Sequence, residues 1–501
     1  YWKQKTGEVL YVDWRVPGGT SEISMFLRSE YTAAFERHWT RDLGLPWTQE
    51  VASAFANYKV TVPKELGATL TTEQQARKEF LDSNTSIKTD LFFGGGSFDF
   101  EQQAKAGILV SADESKKHGL GPLMMRHADW FAESVIPEST SGEPFYDKER
   151  RWVGNCLSSM GIVFNRDVLK RLGIEKEPAQ WSDLADPRYA GAIALSDPNK
   201  SGTVTKALEQ IIQQQMLQAI EELRAEFRKD RRSFRGGEKE VEERGVALGW
   251  ERGLQLIQRI CANARYFTDA ATKIPLEVSQ GDAAAGMCID FYGHSFEEQV
   301  RRPDGSTRVG FIAPKGGSSF GVDPVGMLRG APEPQVAEAF MEFVLSDEGQ
   351  KLWNYRVGVK DGPVQDALRR LPVRKDFYTE AHRAFMTDAA AQPFEDAKSF
   401  TYHQEWTGSL FNVIRFLVKV MCIDSHDEQK QAWKSLWKHD FPKRATEVFS
   451  DMSFASYSNA QDLAAQLNRK DKQLEVQKAR DYTTRFRQQY DRAGELAVHG
   501  Q

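Results

Sequence analysis

Short apolar runs that end in small or polar residues recur along the chain, and a helical pattern follows each of them. The run 89–93 ends in the turn 94–97, which precedes a helix predicted over about 98–106. The run 192–195 is followed by 200–203, where polar and small residues precede a long helix from about Val204. Strand, small-residue turn and helix form the basic unit of α/β folds. The pattern therefore predicts an α/β protein.

Further elements follow from the same periodicity. A turn at 17–22 separates a β-prone run at 9–16 from an apolar-periodic helix that contains Ile23 and Leu27. The remaining predicted strands are 160–164, 283–292, 309–313 and 325–328. The remaining predicted helices are 166–172, 275–281 and 334–345, the last followed by Ser346 as the cap of another helix.

The later and more polar segments are predicted to be helical. Residues 209–249 alternate acidic and basic side chains, which predicts a solvated helical hairpin that turns near Gly236 and Gly237. The apolar stretch 410–423 contains two basic residues four positions apart, which indicates a packed amphipathic helix and no transmembrane span. The last forty residues are very polar and predict an exposed helix or a frayed tail.

Composition and charge exclude several classes of protein. The 501 residues carry a net charge of -5, so no basic face for nucleic acid is expected. The length suggests two or three domains. The cysteines form no CxxC pair, which argues against a zinc ribbon and favours buried free thiols; they are Cys156, Cys261, Cys288 and Cys422.

The enzyme motifs in the chain lack their structural setting. Residues 317–321 fit GxSxG, but a nucleophile elbow needs a strand before the serine and a helix after it. Pro314 interrupts the preceding strand, and Asp323 and Pro324 oppose a following helix. The sequence contains no HExxH motif and no P-loop. We therefore expect no enzyme and no catalytic residues.

Five stretches, in this order, resemble the type 2 periplasmic binding proteins of ABC importers, in particular the ferric-iron and sugar-phosphate binding branch. They lie within roughly the first 360 residues, at 90–109, 158–169, 181–203, 278–293 and 340–358. The resemblance implies two α/β lobes joined by crossing strands, a ligand held in the cleft between them, and a hinge that closes over it. It also implies an extracytoplasmic location and a membrane permease as partner.

The resemblance also implies how the chain is divided. The first lobe is expected at 1–150, the second at 151–292 with the charged helical insertion at 209–249, the return to the first lobe at 293–362, and a helical C-terminal extension at 363–501. Relatives open with a strand and a helix, and Tyr1 resembles the end of that helix. We therefore expect the first strand and the signal peptide to be missing from this chain.

The iron-binding relatives hold Fe(III) with a histidine, a glutamate and two adjacent tyrosines. The histidine position falls before Tyr1, the glutamate position matches Gly95, and the tyrosine pair matches Phe291 and Tyr292. Because Fe(III) prefers anionic oxygen ligands, glycine and phenylalanine at these positions argue against bare iron. If iron is bound, Tyr292 and Asp290 are the expected ligands.

A small anionic organic ligand, phosphorylated or carboxylated, fits the sequence better. Neutral donors at helix starts suit such a group. The candidate ligand-binding residues are Gly18, Gly19, Thr20, Ser21, Gly94, Gly95, Gly96, Ser97, Ser158, Ser159, Ser201, Gly202 and Thr203, with Arg265, Asp290 and Tyr292 adding charge or a hydroxyl. No cofactor is expected.

Several alternatives stay open from the sequence. The alternative interpretation of the glycine run is a tight turn alone, that of the serine pairs is helix capping, and that of Asp290 is satisfaction of backbone groups near the hinge. At the level of function, the alternatives are a ferric-iron or iron-chelate binding protein of the same importer class, and a non-transport extracytoplasmic sensor or adaptor.

Overall fold

The computed structural model describes residues 2–65, 69–467 and 471–501. The chain folds into two compact units. Unit 1 consists of Tyr1–Thr140, Pro144–Ser158 and Phe320–Phe394, and unit 2 of Ser141–Glu143, Ser159–Ser319 and Glu395–Gln501. Tyr1, which the sequence places at the end of a helix, lies outside the described residues.

The strands alternate with the helices along the chain. They are β1 (Leu91–Phe93), β2 (Leu109–Val110), β3 (Ser139–Thr140), β4 (Glu143–Pro144), β5 (Val153–Asn165), β6 (Ile193–Ser196), β7 (Ala264–Thr268), β8 (Ala285–Ile289), β9 (Val309–Ile312), β10 (Phe320–Leu328) and β11 (Leu371–Pro372).

The helices account for most of the regular structure. They are α1 (Trp2–Thr6), α2 (Thr20–Arg37), α3 (Gln49–Ala54), α4 (Thr72–Asp82), α5 (Ser97–Ala106), α6 (Leu120–Arg126), α7 (Arg166–Arg171), α8 (Gly202–Lys229), α9 (Gly237–Ala262), α10 (Lys273–Gln280), α11 (Asp290–Gln299), α12 (Pro334–Leu345), α13 (Asp347–Asn354), α14 (Glu380–Arg383), α15 (Pro393–Asp396), α16 (Gln404–Thr407), α17 (Phe411–Val418), α18 (His426–Lys438), α19 (Lys443–Phe449), α20 (Tyr457–Leu467) and α21 (Lys472–Val498).

Unit 1 is built on antiparallel strand pairs. Strand β10 pairs with β1 and β2, and β11 pairs with the first half of β5. The rings of Phe92 on β1 and Phe100 on α5 stack with centroids 4.0 Å apart, which packs the helix onto the strand. Helix α12 buries Ala337, Met341 and Val344 in the same core. Its predicted bounds, and its predicted neighbour capped by Ser346, are confirmed.

Unit 2 contains the parallel strands. Strand β6 pairs in parallel with both β7 and β8, and the second half of β5 runs antiparallel to β8 and β9. Because β6, β7 and β8 are parallel, their carboxyl ends lie at one edge of the sheet. Helix α8 follows β6 and helix α11 follows β8 at that edge. The α/β class predicted from the sequence is confirmed.

The helical hairpin of α8 and α9 is confirmed, and residues 225–240 around its turn are mostly exposed, but the predicted solvation does not extend along the whole hairpin. The facing sides of both helices belong to the core of unit 2. Gly245, Gly249 and Gly253 repeat every four residues along α9 and face Ile220, Met216 and Ile212 on α8. A Cβ at Gly253 would lie 2.7 Å from the Cα of Ile212. The missing side chains therefore allow the two helix backbones to approach closely.

Two strand predictions need correction. Residues 8–17 form no regular element, and Val9, Tyr11 and Trp14 are exposed. An apolar alternation forms a strand only where a partner supplies the hydrogen bonds, and none of the described strands pairs with this segment. The predicted strand 283–292 is also too long, because β8 ends at Ile289. Asp290 starts α11, where a carboxylate in the first turn is favourable.

The helical C-terminal region is confirmed, and it contributes to the core of unit 2. Of the predicted exposed helix or frayed tail, the helix is observed as α21, but Phe486, Tyr490 and Leu496 are buried, so one of its faces is not exposed. Among the described residues, 404–423 is the helical stretch long and apolar enough to cross a membrane. Its most apolar window is 67% buried inside the fold, which favours a core helix over a membrane span.

Candidate functional site

Two of the predicted small-residue turns meet in unit 1. Gly95 has a φ of +107°, and a Cβ on it would lie 2.5 Å from Cγ2 and 2.8 Å from Oγ1 of Thr20. Helix α2 begins at Thr20 and helix α5 begins at Ser97. The turns 18–21 and 94–97 therefore place the N-terminal ends of two helices side by side, and only glycine fits at position 95.

The two helix ends differ in how their backbone donors are used. The Glu22 carboxylate accepts a hydrogen bond of 2.8 Å from the backbone N–H of Gly19, so part of the α2 end is satisfied by its own side chain. The N-cap of α5 is Gly96, which provides no side-chain cap. The Ser24 hydroxyl donates to Asp99 over 2.9 Å and ties the first turns of both helices together.

Ser158 lies in unit 1 and belongs to a buried polar network there. Its hydroxyl donates to the carboxylate of Asp323 over 3.1 Å, and that carboxylate pairs with Arg370. Burial raises the pKa of Asp323, although Arg370 and Ser158 act in the opposite direction. The Ser158 hydroxyl is thus committed to an internal partner.

Ser159 lies in unit 2 and is joined to Asp290. The Asp290 carboxylate accepts hydrogen bonds from the backbone N–H of Ser159 over 2.9 Å and from its hydroxyl over 3.1 Å. Its other oxygen accepts from the backbone N–H of Phe291 over 2.7 Å. Burial raises the pKa of Asp290 to about 6, against the lowering effects of His294 and these donors.

The segment 201–203 begins α8 at the carboxyl edge of the unit 2 sheet. The Ser201 hydroxyl accepts a hydrogen bond of 3.3 Å from the backbone N–H of Val204 and caps the helix, whereas Gly202 and Thr203 are half-buried. Strand register pairs Ile193 of β6 with Ala285 of β8. The start of α8, Asp290 and Ser159 therefore lie at the same edge of the sheet.

Arg265 and Tyr292 occupy different places in unit 2. Arg265 lies near the start of β7, at the opposite edge of the sheet from Asp290, and its guanidinium lies 3.5 Å from the carboxylate of Asp282. Tyr292 is half-buried on the first turn of α11, with its ring centroid 4.4 Å from that of Phe291. The structure thus brings Tyr292, but not Arg265, to the edge that holds Asp290.

A buried ionic cluster in unit 2 was not predicted. The Lys206 ammonium lies 2.9 Å from the Glu143 carboxylate, 3.1 Å from the Glu209 carboxylate and 3.3 Å from the centroid of the Tyr402 ring. Burial lowers the pKa of Lys206, but the two carboxylates more than offset this effect, so the pKa lies above its usual range. The available signal was Lys206 and Glu209, three positions apart within an apolar helix pattern.

The GxSxG segment has no nucleophile elbow. Ser319 immediately precedes β10 and donates a hydrogen bond of 2.6 Å to the Glu143 carboxylate. Gln210 donates to the Ser319 oxygen over 2.8 Å. The serine is therefore held inside the core of unit 2 and does not sit at the strand-to-helix turn that a hydrolase requires.

Comparison with known proteins gives partial matches. Residues 134–376 match the family model described as bacterial extracellular solute-binding protein. A protein of Haemophilus influenzae described as uncharacterized is 23% identical over 265 residues, which cover 53% of this chain and 60% of that protein. The phosphoglycerate transport regulatory protein PgtC of Salmonella typhimurium is 21% identical over 200 residues, which cover 40% of each chain. The chain thus spans about half the length of these relatives.

Solved structures show weaker likeness. The periplasmic binding protein AfuA from Actinobacillus pleuropneumoniae, with fructose-6-phosphate bound, is 18% identical with a TM-score of 0.38, covering 65% of this chain and 77% of AfuA. The ferric binding protein from Campylobacter jejuni is 15% identical with a TM-score of 0.41, covering 82% of this chain and 93% of that protein. Residues 134–376 of the chain carry the sequence pattern of the bacterial extracellular solute-binding proteins, which confirms the predicted resemblance to solute-binding proteins over these residues.

Proposed function

We propose that the chain is the extracytoplasmic solute-binding component of an ABC importer and that it captures a small organic anion with a phosphate or carboxylate group. A membrane permease is its partner, and the periplasm or an equivalent compartment is its location. The family pattern over 134–376 supports the solute-binding role. The name of the Salmonella typhimurium relative, which refers to phosphoglycerate transport, supports a phosphorylated ligand.

The close contact between Thr20 and Gly95 is the observation that most favours an anionic ligand. It sets the starts of α2 and α5 side by side in unit 1. The positive end of each helix dipole and its backbone N–H groups attract an anion. Two such ends at one place suit a phosphate or carboxylate better than a cation, and Gly96 leaves the α5 end open to a ligand without a side chain in the way.

The donor set also distinguishes an organic anion from iron. Gly95 and Phe291 supply no side-chain oxygen for Fe(III), and the Asp290 carboxylate already accepts three hydrogen bonds. The backbone N–H groups at the start of α8 in unit 2 are consistent with recognition of hydroxyl or anionic groups. Closure of two lobes over the ligand, which the resemblance implies, stays a prediction. The proposal requires no cofactor and no catalytic group.

A thermal-shift screen of the full chain tests the proposal. The panel contains fructose 6-phosphate, 3-phosphoglycerate, a phosphonate, spermidine and ferric citrate, with fructose and citrate as matched controls. A ligand at about 100-fold excess over its Kd adds about 2.7 kcal/mol to stability. We expect stabilisation by a phosphorylated or carboxylated compound. Stabilisation by ferric salt alone would support the iron-binding alternative, and no stabilisation by any compound would support the sensor or adaptor.

A further inference from the structure

Two cysteines face each other in the core of unit 2. Cys261 lies on the last turn of α9, and Cys422 lies in the π-helical turn Lys419–Ile423 that follows α17. Both thiols are free and fully buried in the structure, and Cys422 lies close enough to Cys261 to contribute to the raised pKa of that thiol. Helix α9 packs directly against the turn that carries Cys422. Residues far apart in the sequence thus bring two thiols together.

The surrounding side chains fix both cysteines in place. The Gln429 amide nitrogen lies 3.7 Å from the Cys422 sulfur and donates to the backbone oxygen of Gln258 over 3.1 Å. The His426 Nε2 lies 3.2 Å from the backbone oxygen of Cys261. The Tyr490 hydroxyl donates to the backbone oxygen of Met421 over 3.0 Å. Side chains from α18 and α21 therefore hold the backbone on both sides of the thiol pair.

We propose that Cys261 and Cys422 are joined by a disulfide in the mature protein, which ties α9 to the helical C-terminal region. The oxidant is a disulfide, either a small-molecule disulfide or the disulfide form of a thiol–disulfide oxidoreductase. One cysteine thiolate attacks it and releases one thiol, and the second cysteine then attacks the mixed disulfide and releases the other. Two cysteine protons and two electrons are lost, and one S–S bond forms.

The setting predicts when this bond forms. Burial raises the pKa of the Cys261 thiol well above its usual range, so the folded, reduced protein contains little thiolate to react. The bond is therefore expected to form while the core is still open during folding, and to resist reductants afterwards. An oxidising compartment, which belongs to the proposed function, supplies the oxidant in the cell. The same reaction in a defined buffer does not depend on the location or on any ligand.

Refolding of the full chain in a buffer of reduced and oxidised glutathione tests the pairing. The product is denatured without reductant, alkylated and analysed by mass spectrometry and peptide mapping. We expect two alkylated thiols per chain, at Cys156 and Cys288, and a cross-linked peptide containing Cys261 and Cys422. Four alkylated thiols, or a bond between any other two cysteines, would overturn the proposal.

Thermal unfolding provides a second readout. The oxidised chain should unfold roughly 5–10 °C higher than the chain refolded with a strong reductant. The double variant Cys156→Ala/Cys288→Ala should keep this difference, whereas Cys261→Ala/Cys422→Ala should unfold at one temperature in both buffers. A difference that persists in the second variant would contradict the proposal. If that variant does not fold, the mapping of the unmodified chain still decides the pairing.

Discussion

The carboxylate of Asp290 accepts two hydrogen bonds from Ser159, one from the backbone N–H and one from the hydroxyl. This relationship joins the first turn of α11 to β5 within unit 2. The Asp290 carboxyl is buried there, and burial raises its pKa to about 6. The Asp290 carboxyl therefore takes up a proton in the folded state at a pH where the unfolded chain has already lost it.

This raised pKa predicts a pH-dependent stability. Below about pH 4 the contribution of Asp290 is fully present, and it is lost as the pH rises through about 6, because the folded state then gives up the proton that it binds more tightly. The difference in unfolding free energy between the unmodified protein and Asp290→Asn should fall by about 2 kcal/mol from pH 4 to pH 6. Urea denaturation at several pH values measures it.

A matched control is Asp304→Asn. The pKa of the exposed Asp304 is lowered, chiefly by its hydrogen bond from Ser306, so its contribution has the opposite sign. The difference between the unmodified protein and this variant should not fall between pH 4 and pH 6. A flat difference for Asp290→Asn over the same range would show that the Asp290 carboxyl does not titrate as the structure predicts.

The close approach at Gly95 predicts a strong effect of one methyl group. In Gly95→Ala the new Cβ meets Thr20, and the φ of +107° adds backbone strain. We expect a loss of about 2–4 kcal/mol of unfolding free energy. Gly94 has a φ of +82°, and open space surrounds the position of its Cβ. Gly94→Ala therefore introduces only backbone strain and should lose less unfolding free energy than Gly95→Ala.

Adding Thr20→Ala to Gly95→Ala removes the two Thr20 atoms nearest to the new methyl group. The double variant should recover about 1 kcal/mol or more relative to Gly95→Ala, which a double-mutant cycle in urea would measure. Strict additivity of the two substitutions would contradict the contact between the two turns.

The close packing of α9 against α8 at Gly245, Gly249 and Gly253 predicts that glycine-to-alanine substitutions in two different helices have opposite effects on stability. Alanine normally stabilises a helix interior by about 0.5–1 kcal/mol over glycine. At Gly494 of α21 the new Cβ has its nearest neighbour at 3.7 Å, so Gly494→Ala should be neutral or stabilising. At Gly253 it would lie 2.7 Å from the backbone of α8, so Gly253→Ala should destabilise by about 1–3 kcal/mol. Equal effects of Gly253→Ala and Gly494→Ala on thermal or urea unfolding would contradict the close packing of α9 against α8.

Local signals in the sequence were sufficient to predict the boundaries of several helices. Pro334 starts α12 and Ser346 caps α13, and both helices lie where the pattern predicts them. Glycine and serine at 201–203 likewise mark the start of α8. These signals act through the hydrogen bonds of neighbouring residues, so a single sequence contains them. The run 9–16 has the alternation of a strand but lacks a described partner, because pairing is not a local property.

Long-range packing explains what the sequence could not provide. Three features of the candidate site depend on contacts between distant segments. They are the approach of Thr20 to Gly95, the partners of Ser158 and Asp290, and the placement of Arg265 at the far sheet edge. The cluster around Lys206 depends on Glu143 and Tyr402, which no spacing rule connects to α8. Residue types therefore indicated candidates, and their partners determined which of them lie together.

The start of α5 offers a direct test of anion binding. Gly96 is its N-cap, with φ −89° and ψ 154°, and open space surrounds the position of a Cβ. Aspartate and asparagine are both good N-caps in this conformation. Gly96→Asp and Gly96→Asn should therefore fold with similar stability, while only the first places a negative charge at the helix end.

Isothermal titration calorimetry of these two variants, with the phosphorylated or carboxylated compound that stabilises the unmodified protein most, tests the central claim. We predict that Gly96→Asn binds within about threefold of the unmodified protein and that Gly96→Asp binds at least about tenfold more weakly, because its carboxylate repels the anion. Equal affinity of the two variants would contradict the binding of an anion at the paired starts of α2 and α5.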